Sequence, residues 1–415
     1  MKYKTLLFIA FLMGLSSTLF VTTPFGRVAM FDAATFVLAP LCLLYSRKRF
    51  SQVEHLILLL SVLWFFGACY SNWWREEDFY IALKGDAIVF NVICMLIVCI
   101  AVLKQSHQTF LWFCVGSAIS CVVSLYIFQN GAILSFAETA GYAGMGGVQE
   151  FLQEKQVYPI YAGAILMAVL FPLRSMGLIP WVVVFATCLL SAFWLLFWGG
   201  SRSGFGAMFV TALIVAGYAY FRPIVQAVTR NLVLSLVVMS LLCAMAFQTY
   251  KHLALSGVLG EAEYQKYIGE IGESDSGALG SRDDLIRAWP FLKDHPFVGA
   301  GSSAIDRWGV IQDGFKIPGH SAVIGAWTQN GIAGLIFWLY ALYLIVDFMR
   351  KRMILFGDWF PFIASQMIAA VWSILFSPFG GSRGIICMGL ALCVVSCSPK
   401  VMEQVTSDLV RKKRM

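Results

Sequence analysis

Apolar residues run through this chain in blocks long enough to cross a bilayer as helices, which takes about 17–25 residues each, and short polar turns separate the blocks. The blocks fall at roughly 5–21, 29–45, 54–71, 80–103, 109–128, 157–173, 177–198, 203–221, 231–249, 322–347, 359–376 and 384–397. Backbone polar groups inside lipid must be satisfied within the segment itself. The pattern therefore predicts an all-α integral membrane protein of about twelve transmembrane helices, with a large loop carrying short amphipathic helices. Residues 1–249 hold the first nine spans, 250–321 form the large loop, and 322–415 hold the last three spans and a basic tail.

Charge assigns the sides. Seventeen of the thirty Lys and Arg residues fall on one set of ends and loops, among them Lys2, Lys4, Arg47 to Arg49, Lys104, Arg350 to Arg352 and Arg411 to Arg414. The short loops opposite carry only Arg27, Arg75, Lys155, Arg202 and Arg383. By the positive-inside rule both termini are cytoplasmic, and an even number of spans requires the two to agree. The formal charge of +7 is thus a topology signal, and nucleic acid is not an expected partner. Lys2 and Lys4 ahead of an apolar run resemble a secretion signal. No clean small-x-small cleavage site of the Ala-x-Ala kind precedes Thr22, so the run is read as the first span.

Composition supports the membrane reading: 59% of residues are hydrophobic, 13% are charged, and the mean hydropathy is +0.77. A soluble domain carries about 25% charged residues. All eleven cysteines fall inside apolar runs, so they read as small buried hydrophobes; no disulfide framework or thiolate metal site is expected.

Two loops on the less basic side exceed a turn. The first, about 129–156, is Gly-rich and carries Glu138, Glu150 and Glu154, which read as solvated. The second, 250–321, is acidic in its first half, through Glu261, Glu263, Glu270, Glu273 and Asp275. Within it Ser281 is suited to cap a helix, and Asp283 and Asp284 suit that helix's positive end. Leu285, Ala288, Trp289 and Leu292 follow at helical spacing, and Asp294-His295-Pro296 should end the helix. A short amphipathic helix along the membrane surface is expected, with Arg282 at its start.

Four residues on that side could carry chemistry. His320 precedes Gly331 by eleven residues, about three helical turns. A helix starting at His320 would set both on one face, with His320 at the mouth of a groove floored by Gly331 and Gly334. Imidazole titrates near neutrality and suits a general base; the alternative is an interfacial histidine capping a span whose glycines pack on a neighbour. Arg202 and Arg383 each follow Gly-Gly-Ser at the predicted outer start of a span, where amides and a guanidinium could surround an anion. Snorkelling to headgroups is the competing account of each arginine. Together with Arg282 and His320 they suggest a site for a phosphorylated lipid. Lys84, Asp86 and Asp32 lie in or at the edge of spans, where charge is costly, and each needs a partner. His252 and His295 lack the accompanying ligands of a metal site, and Trp73-Trp74 suits the interfacial aromatic belt.

His320-Ser321, nine residues, then Gly331-x-x-Gly334 resembles the His-[Asn/Ser/Gln]-x9-Gly-x-x-Gly signature of bacterial O-antigen ligases. Those ligases share a wider family with O-antigen polymerases and some protein O-oligosaccharyltransferases. Gly280-Ser281-Arg282 with Trp289, the run Asp294 to Gly301, and Arg202 in Ser201-Arg202-Ser203 resemble the same family's outer-loop region. The two threonines that often continue the signature are absent, since Leu335-Ile336-Phe337 follows. The choice between ligase and polymerase therefore stays open.

The resemblance implies transfer of a polysaccharide from undecaprenyl pyrophosphate to lipid A–core at the periplasmic face of the inner membrane, with inversion and without metal, nucleotide or other cofactor. In that reading His320 is the general base, Arg202 and Arg282 hold the pyrophosphate, Arg383 adds a third cation, and Gly331 and Gly334 serve helix packing. A polymerase of the same family is the near alternative. A lipid or sugar transporter is the alternative from another class; it predicts a repeat between halves, which the spans do not show.

Overall fold

In the computed structural model, the described residues are 3–16, 20–23, 26–46, 50–129, 177–197, 231–258, 291–302, 321–376 and 383–397, with 170, 174, 209–213, 216–217, 223 and 288–289. They are helical apart from turns and one short hairpin. Helix α1 (Tyr3–Ser16) leads into strands β1 (Phe20–Thr23) and β2 (Gly26–Ala29), paired antiparallel with Phe20 opposite Ala29. This hairpin departs from the all-α expectation, and the first helix stops at Ser16 rather than near 21. The cause is local: Val21, Thr22 and Thr23 are β-branched and precede Pro24, a combination that favours extended backbone.

Helix α2 (Met30–Ser46) follows, then α3 (Gln52–Trp74), α4 (Phe79–Leu103) and α5 (Gln108–Gln129). Helix α3 begins on a capping box: Ser51 Oγ accepts from Glu54 N–H, and the Glu54 carboxylate accepts from Ser51 N–H at 2.6 Å. The same carboxylate takes Lys104 at 2.5 Å from the far end of α4, so the two helices run antiparallel. At their other end Asp78 caps α4 by accepting from Tyr80 and Ile81 N–H. Helix α4 is the central element. It packs against α2, α3 and α5, and every residue from Asn91 to Leu103 is buried.

The later helices are α6 (Trp181–Phe197), α7 (Leu232–Leu255), α8 (Ala322–Asn330), α9 (Ile332–Lys351), α10 (Phe360–Phe376) and α11 (Arg383–Val395). Helix α9 packs on α3, α8, α10 and α11, and α11 lies along α4. Among the described residues three helices, α3, α4 and α9, are long and apolar enough to cross a membrane, and further shorter apolar helices accompany them.

The bundle has two chemically distinct ends. Cys397 lies within electrostatic reach of Glu54, Asp347, Lys351 and Arg352, which gathers the start of α3 and the ends of α9 and α11 at one end with Lys104. There Asp347 pairs with Lys351 at 2.5 Å and with Arg352 at 2.7 Å. The opposite end holds the α3–α4 turn and the motif segment described next.

Candidate functional site

Ser321 caps α8, its hydroxyl accepting from Ile324 N–H at 3.4 Å. Ala322, Val323 and Ala326 bury the inner face of this helix. The Thr328 hydroxyl, also buried, donates back to the carbonyls of Ile324 and Gly325. The helix ends at Gly331, where φ is 70° and ψ is −161°. That conformation is essentially restricted to glycine, and a Cβ here would collide with the Phe297 carbonyl.

The continuous helix expected over 322–347 is therefore replaced by two helices, α8 and α9. Gly331 is the break between them and not a position on a helical face. Beyond the break the chain folds back, bringing Gly334 so near that an added Cβ would lie 2.6 Å from the Ala326 carbonyl of α8. Gly334 thus packs α9 against α8, and the groove expected over the two glycines is filled by α8 itself.

The break is anchored on the middle of α3. Trp64 Nε1–H donates to Asn330 Oδ1 at 2.9 Å, and its ring stacks on Phe337 at 4.8 Å between centroids. Helix α9 consequently starts level with Gly67 of α3, about two turns short of Trp74, where Ala333 lies against Gly67.

The segment Pro296 to Ser302 fills the space above that late start. The Phe297 carbonyl accepts from Ile332 N–H at 3.3 Å, and the Pro296 carbonyl accepts from Trp327 Nε1–H at 3.0 Å. Ala300 N–H donates to the Thr328 carbonyl at 2.6 Å, and Gly301 N–H to that of Gln329 at 3.1 Å. Carbonyls at the end of α8 that have no partner within the helix are thereby satisfied. From the other side α3 supplies Ser71 Oγ, which accepts from Gly299 N–H at 3.2 Å, and Arg75 Nε–H, which donates to the Gly299 carbonyl at 3.1 Å. The Arg75 guanidinium also lies 5.4 Å from the centre of the Phe291 ring.

Just before this segment, Ala288 and Leu292 are buried one helical turn apart, while Trp289 is 54% exposed. The expected apolar stripe thus turns Ala288 and Leu292 inward and Trp289 outward. The chain leaves helix in a turn at Lys293 and Asp294, where the sequence predicts a stop.

Arg202, Arg282 and His320 lie outside the described residues; His320 immediately precedes the α8 cap. Arg383 is described, and its guanidinium is bound to Asp32 at 2.8 Å. Asn91 bonds the same carboxylate and accepts from the Thr35 hydroxyl at 3.0 Å. Asn91 is near the midpoint of α4, so Arg383 sits half-way along that helix rather than beside its end. Of the other charges singled out by sequence, Asp32 has thus found Arg383, Asp86 accepts from Asn72 Nδ2–H at 2.8 Å, and Lys84 is exposed. Trp73 and Trp74 are exposed at the end of α3. The contribution of Ser71, Asn72 and Arg75 to the motif segment was not legible beforehand. The one available signal was Arg75, as a rare cation on the less basic side.

Among known protein families, the O-antigen ligase family matches residues 183–339, from the start of α6 to the first half of α9. No curated protein matches the chain at a significant level. The matched stretch takes in the motif segment, the α8 cap and the break at Gly331. Residues 183–339 of this chain, whose described helices include three long and apolar enough to cross a membrane, are thus similar to the O-antigen ligase family.

Proposed function

We propose that this protein is an O-antigen ligase of the inner membrane, which transfers a polysaccharide from undecaprenyl pyrophosphate to a hydroxyl of lipid A–core at the periplasmic face. The observation that carries the reading is the capped helix α8. In sequence His320 stands directly before its Ser321 cap, inside the family-matched stretch 183–339, and α8 itself ends on the glycine-only break at Gly331.

In the reaction, a ring nitrogen of His320 takes the proton of the acceptor hydroxyl. The acceptor oxygen attacks the anomeric carbon opposite the pyrophosphate. The bond from that carbon to the phosphate oxygen breaks, its electron pair passes to undecaprenyl pyrophosphate, and the configuration inverts. The donor carries its own activation, so the protein's task is to hold charge that grows on the leaving group. Arg202 and Arg282 hold the pyrophosphate in this account, since guanidinium groups meet phosphate oxygens in bidentate fashion. Arg383 is the third cation; Asp32 already neutralises it, so it acts on the donor only when that pair yields.

The test is His320→Ala in cells. The expected result is lipid-linked polysaccharide that accumulates while lipid A–core stays uncapped. Normally capped lipopolysaccharide in that strain contradicts the assignment. Deleting the gene separates ligase from polymerase: loss of a ligase leaves long chains on the carrier, whereas loss of a polymerase leaves single repeat units.

A further inference from the structure

Asn72 and Asp86 stand outside the matched family segment, yet they hold one of its working parts in place. Asn72 is buried near the end of α3, with its amide between a donor on one side and acceptors on the other. Its Oδ1 accepts from Ser302 N–H at 2.8 Å, and its Nδ2 donates to Asp86 at 2.8 Å and to the Ala82 carbonyl at 3.5 Å. A backbone N–H can only donate and a carboxylate accepts, so the amide has one usable orientation. Asp86 is held in turn by the Cys69 thiol. Gly85, beside it on α4, leaves the space that Ser302 Oγ occupies.

Ser302 closes the segment whose Ala300 and Gly301 amides bind the last carbonyls of α8. Helix α8 has nine residues and is about 13 Å long. Whatever sets its Gly331 end also sets its Ser321 end, next to His320. A tilt of about 5° over that length moves the far end by about 1 Å, and a misplacement of that size costs on the order of 100-fold in rate.

We infer that Asn72 and Asp86 are positioning residues for the transfer reaction, orienting α8 and hence His320 through the backbone of Ser302; the inference rests on the ligase reading proposed above. Neither residue touches the reacting atoms. Their effect falls on kcat and leaves the KM for the lipid-linked donor unchanged.

The experiment compares purified wild type, Asn72→Asp, the exchanged pair Asn72→Asp with Asp86→Asn, and Gly85→Ala, measuring transfer kinetics and thermal melting. In Asn72→Asp two carboxylates face each other, and kcat should fall about 10- to 100-fold at constant donor KM. The exchanged pair restores one carboxylate and one amide between Ser302 and α4, so kcat should return to within about fivefold of wild type. Gly85→Ala suits a helix, and its added methyl meets Ser302 Oγ; it tests the same path without altering Asn72 or Asp86, and kcat should fall in the same way. Wild-type kcat in both Asn72→Asp and Gly85→Ala overturns the inference while leaving the ligase reading intact. So does a folded exchanged pair that stays inactive. If Asn72→Asp does not fold, Gly85→Ala decides by itself. Wild-type protein that transfers nothing overturns the ligase reading instead.

Discussion

Gly331 and Arg383 show how a single residue can mean something other than its spacing suggests. Eleven residues from His320 to Gly331 fit three turns of a helix, but the backbone at Gly331 occupies a region that only glycine enters with ease. Gly331→Ala should cost at least about 1–3 kcal/mol, read as a lower melting temperature together with loss of transfer. An alanine protein that melts like wild type would show that the break is not needed. Arg383 raises a different question, because Asp32 neutralises it where both are largely buried. Asp32→Asn leaves a buried guanidinium uncompensated and should destabilise by about 3–5 kcal/mol, whereas replacing both partners by apolar residues should recover most of that loss. If Arg383 also helps hold the donor, the doubly apolar protein will be stable and will bind the lipid-linked donor more weakly than wild type. Equal donor KM in the two proteins would confine Arg383 to a structural role.

At the scale of elements, helices with strong local signals were legible and their articulation was not. The apolar runs at 54–71 and 80–103 mark α3 and α4, and the observed bounds, Gln52–Trp74 and Phe79–Leu103, differ from them by a few residues at most. The hairpin of β1 and β2 falls mostly in the turn expected between the spans 5–21 and 29–45, where hydropathy marks a break in the apolar pattern but not the pairing of the two strands. The end of the surface helix near Asp294 could be read from Pro296. The packing of Pro296 to Ser302 against Ser71 and Arg75 could not, because it joins residues more than 220 positions apart. Trp64 poses a similar case. Its bond to Asn330 satisfies the residue just before the break, so Trp64→Phe should cost about 1–3 kcal/mol in thermal melting, the usual penalty for a buried acceptor left alone. A change below a few tenths would mean that Asn330 finds another donor.

For the whole molecule, the two ends of the bundle carry opposite roles in this account. Lys104, Lys351 and Arg352 gather at one end, while the α3–α4 turn and the motif segment lie at the other. The positive-inside rule assigns the first end to the cytoplasm. An alkaline phosphatase fusion after Glu76 should then be active, and one after Ser106 inactive; the reverse pattern would place the motif segment in the cytoplasm and remove it from a periplasmic acceptor. The choice between ligase and polymerase was open in the sequence because both use the same donor and the same family segment. They differ in the acceptor, which the signature from His320 to Gly334 does not encode.

The most direct measurement supplies purified protein in detergent with undecaprenyl-pyrophosphate-linked polysaccharide and lipid A–core. Glycosylated lipid A–core and free undecaprenyl pyrophosphate should form in equal amounts with wild type, and neither should form with His320→Ala. Growth of longer carrier-linked chains without capped lipid A–core, or undiminished transfer by His320→Ala, would contradict the account.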